Sequence, residues 1–280
     1  MRLTIIGSAF AILALGALVA EARRDTDGFA IYEDWTTTDQ IRGDRWRGLA
    51  NPAQDTQKEQ QGHRAHLRLR REASNASNAG GAGAELILAA ARPLDVTRFD
   101  VETRVKNLEL VGCPANPVAS SVMPVQVTLN KFNDGTPGLP GDATGDHFGR
   151  IRLFRSSGLN DPPGALQVHL AIFRCDNPAC SAAHSLPDAF VALPTFVYVG
   201  DKVRVRLIWD EANNRFVGGV NNGPDMSLAY PAGLNQAPAR SPFANISVFS
   251  SAVSCLGQAG VVDADVEIGV VRTNPSAVIP

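Results

Sequence analysis

Apolar and polar residues alternate at a period of two through most of this chain, and a helical period is hard to find. In the stretch GALQVHLAIFRC, Leu166, Val168, Leu170 and Ile172 fall on one side, and Gln167, His169, Ala171 and Phe173 on the other. Period two is the side-chain repeat of a strand. The same alternation marks His66–Arg71, Glu85–Ala90, Phe99–Leu110, Val122–Phe132, Gly149–Arg155 and Leu166–Arg174. It returns at Phe190–Val199, Lys202–Asp210, Arg215–Asn221, Phe243–Ser250 and Val261–Val271. That predicts about eleven strands at short, regular spacing. Turn chemistry separates them: the low-complexity run Ala73–Gly83, the Gly-, Pro- and Asp-rich run Asn133–Asp146, and Glu211–Asn214. Asn51–Gly62 reads as a polar loop. A strand with one oily face must bury it against a second layer. The expected fold class is therefore all-β, a two-sheet antiparallel β-sandwich. One domain is expected over residues 23–272, followed by a flexible tail at 273–280.

The first residues read as a secretory signal peptide, residues 1–22. Arg2 supplies a positive end, Leu3 to Val19 is apolar or small, and Ala20-Glu21-Ala22 has small residues where a signal peptidase reads. The alternative is an uncleaved anchor; no later stretch is long and apolar enough to span a membrane. Localisation outside the cytoplasm follows: secreted, periplasmic or at the cell surface. All four cysteines lie beyond the leader, so pairing is expected in an oxidising compartment. Cys175 and Cys180 bracket the turn-forming DNPA and can close locally, which leaves Cys113 with Cys255. The rival reading joins His184 to Cys175 and Cys180 in a metal site.

The formal net charge is −2, which gives no argument for nucleic acid or for an acidic membrane surface as a partner. There is no G-x-S-x-G elbow, P-loop, dinucleotide fingerprint or H-E-x-x-H, and no cofactor is implied. The basic residues are biased: Lys58, Lys106, Lys131 and Lys202 are the only lysines, and the rest are arginines. Arg68 and Arg70, Arg150 and Arg152, and Arg204 and Arg206 alternate with apolar neighbours, so each pair points away from the core. Were their strands adjacent, they would form one cationic plate suited to carboxylates or sulfates of an acidic poly- or oligosaccharide. The alternative pairs them with acids such as Asp100 and Glu102 on the same sheet surface. Aromatic residues are 6% of the chain. Trp209 shares a face with core residues, and Trp35 and Trp46 fall near the start, so few aromatics are expected on a sugar-stacking platform.

The opening FAIYEDWTTTDQIRGDRW, with Phe29, Glu33, Asp34, Trp35 and Trp46, resembles the start of secreted domains of the concanavalin A-like lectin/glucanase superfamily. The hairpin VRVRLIWDEANNRFVGGVNNG and the closing strand VVDADVEIGVV resemble the same group's late hairpin and its last strand, which pairs beside the first. The resemblance implies a jelly roll and a carbohydrate ligand. Its glucanase branch carries two glutamates and an aspartate alternating on one strand. The nearest sequence here is Asp263-Ala264-Asp265-Val266-Glu267, which lies on the last strand and begins with Asp. Gln167-Val168-His169 resembles the Q-I/V-H motif of the alginate-lyase branch, where Gln neutralises a uronate carboxylate and His moves a proton. The companion Y-x-K-x-G-x-Y strand of that branch is absent.

Three function classes follow: a lectin-like carbohydrate-binding domain without catalysis, a lyase or hydrolase acting on acidic polysaccharide with Gln167 and His169 as catalytic candidates, and an adhesive domain that binds protein. Calcium is common in the superfamily, and Asp134, Asp142 and Asp146 are the oxygen donors that the Asn133–Asp146 loop offers it.

Overall fold

The computed structural model describes residues 28–48, 50, 56–73, 80–113, 120–255 and 258–278. The leader expected at residues 1–22 lies outside them. The described chain forms two antiparallel sheets. The first runs β13 (Met226–Ala229), β12 (Arg215–Val220), β11 (Lys202–Asp210), β6 (Arg98–Val111), β17 (Gln258–Thr273), β4 (Ala65–Ala73) and β3 (Thr56–Gln60). β1 (Ala30–Glu33) and β16 (Ser254–Cys255) also pair with β17. The second runs β10 (Ala183–Tyr198), β9 (Ala165–Cys175), β8 (Asp146–Ser156), β7 (Val122–Asn133), β15 (Ala244–Ala252), β5 (Gly80–Leu88) and β2 (Trp46–Arg47), with β14 (Ala237–Pro238) beside β7.

Each of the eleven expected strands is present. The inward residues follow the alternation. Leu67 and Leu69, Val203, Val205 and Leu207, and Val262, Ala264 and Val266 come from the first sheet. They meet Val125, Val127 and Leu129, Ile151 and Leu153, and Leu166, Val168 and Leu170 from the second, in one core. Burying each large aliphatic side chain contributes about 1.5–3 kcal/mol, so the sandwich is held mainly by this layer. Gly149 interrupts the inward row of β8 because the ring of buried Phe216 fills that space; a Cβ there would run into it.

Three expectations change. The Asn51–Gly62 segment, expected to be a loop, contains edge strand β3, whose residues Thr56 to Gln60 pair with Leu69 to Ala65. β3 is polar along most of its length, so it carries no alternation to read. β10 begins at Ala183, ahead of Phe190, with register shifts against β9. The tail expected from Thr273 packs as far as Val278: Thr273 and Ala277 are buried, and Val278 bridges Ala91.

The entry motif is architectural. Glu33 is buried and accepts hydrogen bonds from the amides of Asp34 and Trp35 and from Trp46 Nε1. Trp35 and Trp46 stack at 5.4 Å, and Trp35 Nε1 donates to Gly269 O at 2.6 Å. β1 pairs with the end of β17, Ala30 opposite Thr273, so the last strand does lie beside the first.

Candidate functional site

The candidate site is the outward face of the second sheet. Its central strands project Gln126 and Thr128 from β7, Phe148, Arg150, Arg152 and Phe154 from β8, Gln167, His169 and Phe173 from β9, and Asn245, Ser247 and Phe249 from β15. These positions follow directly from the period of two. A groove of about 710 Å³ lies over β5, β15, β7 and β8, walled by Ala179, Cys180 and Ser181.

Arg152 and His169 face each other in register. Arg152 Nε donates to His169 Nδ1 at 3.2 Å, and His169 Nε2 pairs with Gln167 Oε1 at 2.7 Å. Gln167 Nε2 donates to both oxygens of Asp161, at 2.9 and 3.1 Å. This chain of donors fixes the neutral ring with its hydrogen on Nε2. Burial, and after it the charge of Arg152, pushes the His169 pKa down to about 4. Gln167 and His169 are therefore brought together, but both ring nitrogens are engaged by protein groups.

Arg150 stands over the Phe148 and Phe173 rings, 4.8 and 4.7 Å from their centroids. Its Nε is buried and has no hydrogen-bond partner among the described residues. Burial, and then the neighbouring Arg152, pushes its pKa down to about 10. Arg152 covers the Phe154 ring at 4.8 Å. Neither arginine forms an ion pair among the described residues.

The cationic plate does not form, because its members lie on opposite sheets. Arg68, Arg70, Arg204 and Arg206 belong to the first sheet, where each meets a carboxylate. Arg68 pairs with Glu59 at 2.8 Å and Asp265 at 3.3 Å, and Arg70 with Asp263 at 3.6 Å. Arg204 pairs with Asp100 at 2.5 Å, and Arg206 with Asp225. Glu267 faces Lys106 at 3.6 Å and Arg104 at 3.9 Å. The Asp263, Asp265 and Glu267 stripe is thus a set of ion pairs on the outer surface of the first sheet.

Asp134, Asp142 and Asp146 are each committed to protein donors. Asp134 holds the Thr136 amide and hydroxyl and pairs with Arg174 at 2.7 Å. Burial raises its pKa, but those bonds outweigh it and hold the carboxyl at about 2. Asp142 caps the Thr144 amide. Asp146 is fully buried and accepts from Asn130, Asn133 and the amides of Arg240 and Ser241. No group of three His, Cys, Asp or Glu among the described residues is arranged to hold a metal ion. Cys175 and Cys180 form a disulfide, and His184 Nδ1 instead faces Asp176 Oδ1 at 2.7 Å, which removes the metal grouping of those three residues. Cys113 is also disulfide-bonded; the side chain of its expected partner, Cys255, lies outside the described ones.

Sequence reasoning missed the aromatics. The tryptophans are buried or packed on the core as expected, but phenylalanines line the groove face. Phe190, Phe196 and Tyr198 on β10 sit opposite Ala171, Gln167 and Ala165 in register, and so share that face. Each is more than a third exposed, as is Phe249. The signal was present: Phe148 and Phe154 share parity with Arg150 and Arg152, and Phe173 with Gln167 and His169.

The chain matches no protein-family model and no curated protein. Among solved structures it is similar to the GlcNAcα1-4Gal-releasing endo-β-galactosidase from Clostridium perfringens, with TM-score 0.51 and 6% identity. That match covers 91% of this chain and 65% of the enzyme's. It is also similar to the catalytic domain of an endo-1,3-β-glucanase (laminarinase) from Thermotoga petrophila RKU-1, with TM-score 0.48 and 11% identity, over 88% of this chain and 97% of that one. A third is the metal-free carbohydrate recognition domain of Emp46p, with TM-score 0.39 and 12% identity, over 87% of this chain and 93% of that one. The likeness is one of fold: this chain is a concanavalin A-like jelly roll.

Proposed function

We propose that this is an exported, lectin-like domain that binds an acidic poly- or oligosaccharide on the outward face of its second sheet, without catalysis. One observation carries the reading. Arg150 and Arg152 are partly buried cations among phenylalanine rings with no ion-paired carboxylate among the described residues, whereas Arg68, Arg70, Arg204 and Arg206 on the other sheet are all paired. Guanidinium groups suit carboxylates and sulfates, and ring faces suit the apolar faces of sugars. The Cys175–Cys180 disulfide supports an oxidising compartment. Among the described residues, no helix is long and apolar enough to cross a membrane.

The arrangement favours binding over hydrolysis. A glycosidase needs two carboxyl groups about 5–9.5 Å apart. Asp146 on β8 shares this face but is fully buried and taken up by Asn130, Asn133 and two backbone amides. The partly exposed acids beside the groove face include Glu85 on β5 and Asp161 before β9. Their strands are four steps apart in the sheet, roughly 19 Å at the usual strand spacing. That His169 is tied at both nitrogens supports binding over a lyase step with this residue as base.

Affinity electrophoresis of the mature domain through gels of neutral or acidic polysaccharide tests the proposal. Retardation by acidic polymers, weakened by salt, is the expected result. Migration unchanged in every gel sinks it and favours the protein-binding reading, for which Phe190, Phe196 and Tyr198 would be the contact surface.

A further inference from the structure

The groove is electrically lopsided. At one end Arg150 lies over two phenylalanine rings with its buried Nε unused. At the other end Glu85 accepts a hydrogen bond from Asn245 Nδ2 at 3.2 Å. β5 is three strands from β8, roughly 14 Å at the usual spacing. Gln126, Thr128 and Ser247 lie between them and supply neutral amide and hydroxyl groups.

We propose that Arg150 determines the specificity of this face by seating one anionic substituent, a sulfate or a uronate carboxylate, of an oligosaccharide laid across β8, β7 and β15. The inference rests on the saccharide-binding reading above and adds the residue, the charge and the direction of the ligand. The anionic unit sits at β8 and neutral units run toward Glu85, whose charge repels a second anion.

The two arginines are not equivalent. Arg152 spends its Nε on His169 and is anchored through Gln167 to Asp161. Arg150 has no such tie. Its guanidinium is partly buried without a counter-charge among the described residues, an unfavourable state that an oxyanion would relieve. The phenylalanine rings, with centroids 4.8 and 4.7 Å from its Cζ, hold the group in place, and a guanidinium so held suits a two-pronged oxyanion contact.

Paired polymers that differ in one group separate the possibilities. A sulfated galactan is compared with its desulfated form, and polygalacturonate with its methyl ester, by titration calorimetry on the mature domain. The wild type binds at least one anionic member more tightly than its neutral counterpart, and the member preferred identifies the oxyanion. Arg150→Gln lowers that affinity about tenfold to a hundredfold, the worth of a charge-assisted hydrogen bond, and leaves the neutral partner's affinity unchanged. Arg150→Lys restores part of the loss. Arg68→Gln, on the other sheet, leaves binding unchanged. An unaltered melting temperature in Arg150→Gln establishes that the fold is intact. Wild-type binding that is equal for charged and neutral polymers, or untouched by Arg150→Gln, overturns this inference and leaves the saccharide-binding reading standing. No binding of any polymer overturns both.

Discussion

Arg152 donates its Nε hydrogen to Nδ1 of His169 across the β8–β9 pair. A guanidinium that donates to an imidazole keeps that imidazole neutral, because a protonated ring has no lone pair to accept with. The contact therefore sets the tautomer of His169 and, after burial, helps to keep the ring neutral.

The first prediction concerns acid. His169 titrates at about 4 in the folded protein, against an ordinary histidine value of 6.5. Between those values the unfolded chain binds the extra proton, so stability falls as pH drops from about 6.5 to about 4 and levels off below. The displacement is worth up to about 3 kcal/mol. Urea unfolding of the wild type and His169→Phe across this range measures it. The variant should lose this part of the pH dependence; an identical slope in both proteins counts against the assignment.

Asp100 is fully buried between Arg204 Nε at 2.5 Å and Arg272 Nη1 at 3.1 Å. Removing one partner of a buried ion network strands the others. Asp100→Ala should cost about 3–5 kcal/mol in unfolding free energy. Saccharide affinity at a temperature where the variant is folded should be unchanged, because this network is on the opposite sheet from the groove. Loss of binding in a folded Asp100→Ala protein would place function on the first sheet.

The Cys175–Cys180 bridge closes a short loop, with a sequence separation of 5. Its residues Ala179, Cys180 and Ser181 wall the groove. Replacing both cysteines with serine should cost about 2 kcal/mol by loop-closure entropy. It should also weaken saccharide binding by loosening that wall while leaving Cys113's bridge intact. Calorimetry and denaturant melts on one preparation give both numbers; unchanged affinity would remove the loop from the site.

The strands and their faces are legible in the order of residues. Successive side chains on a strand point to opposite sides by covalent geometry, so alternation alone assigns the faces of Leu166, Gln167, Val168 and His169. The same rule brings Gln167 and His169 together and sets Arg150 and Arg152 outward. It fails where alternation is absent, as in the polar edge strand Thr56–Gln60. It also does not say which strands are neighbours. Arg68 meets Asp265, and Arg204 meets Asp100, because β4 pairs with β17 and β11 with β6. Those pairings link residues far apart in the chain and are set by how the two sheets close over one core. The separation of the neutralised arginines of the first sheet from Arg150 and Arg152 is therefore a property of the assembled sandwich. So is the placing of the phenylalanines beside them, oily by sequence, along a groove and not in the core: charge and burial depend on neighbours that local pattern does not encode.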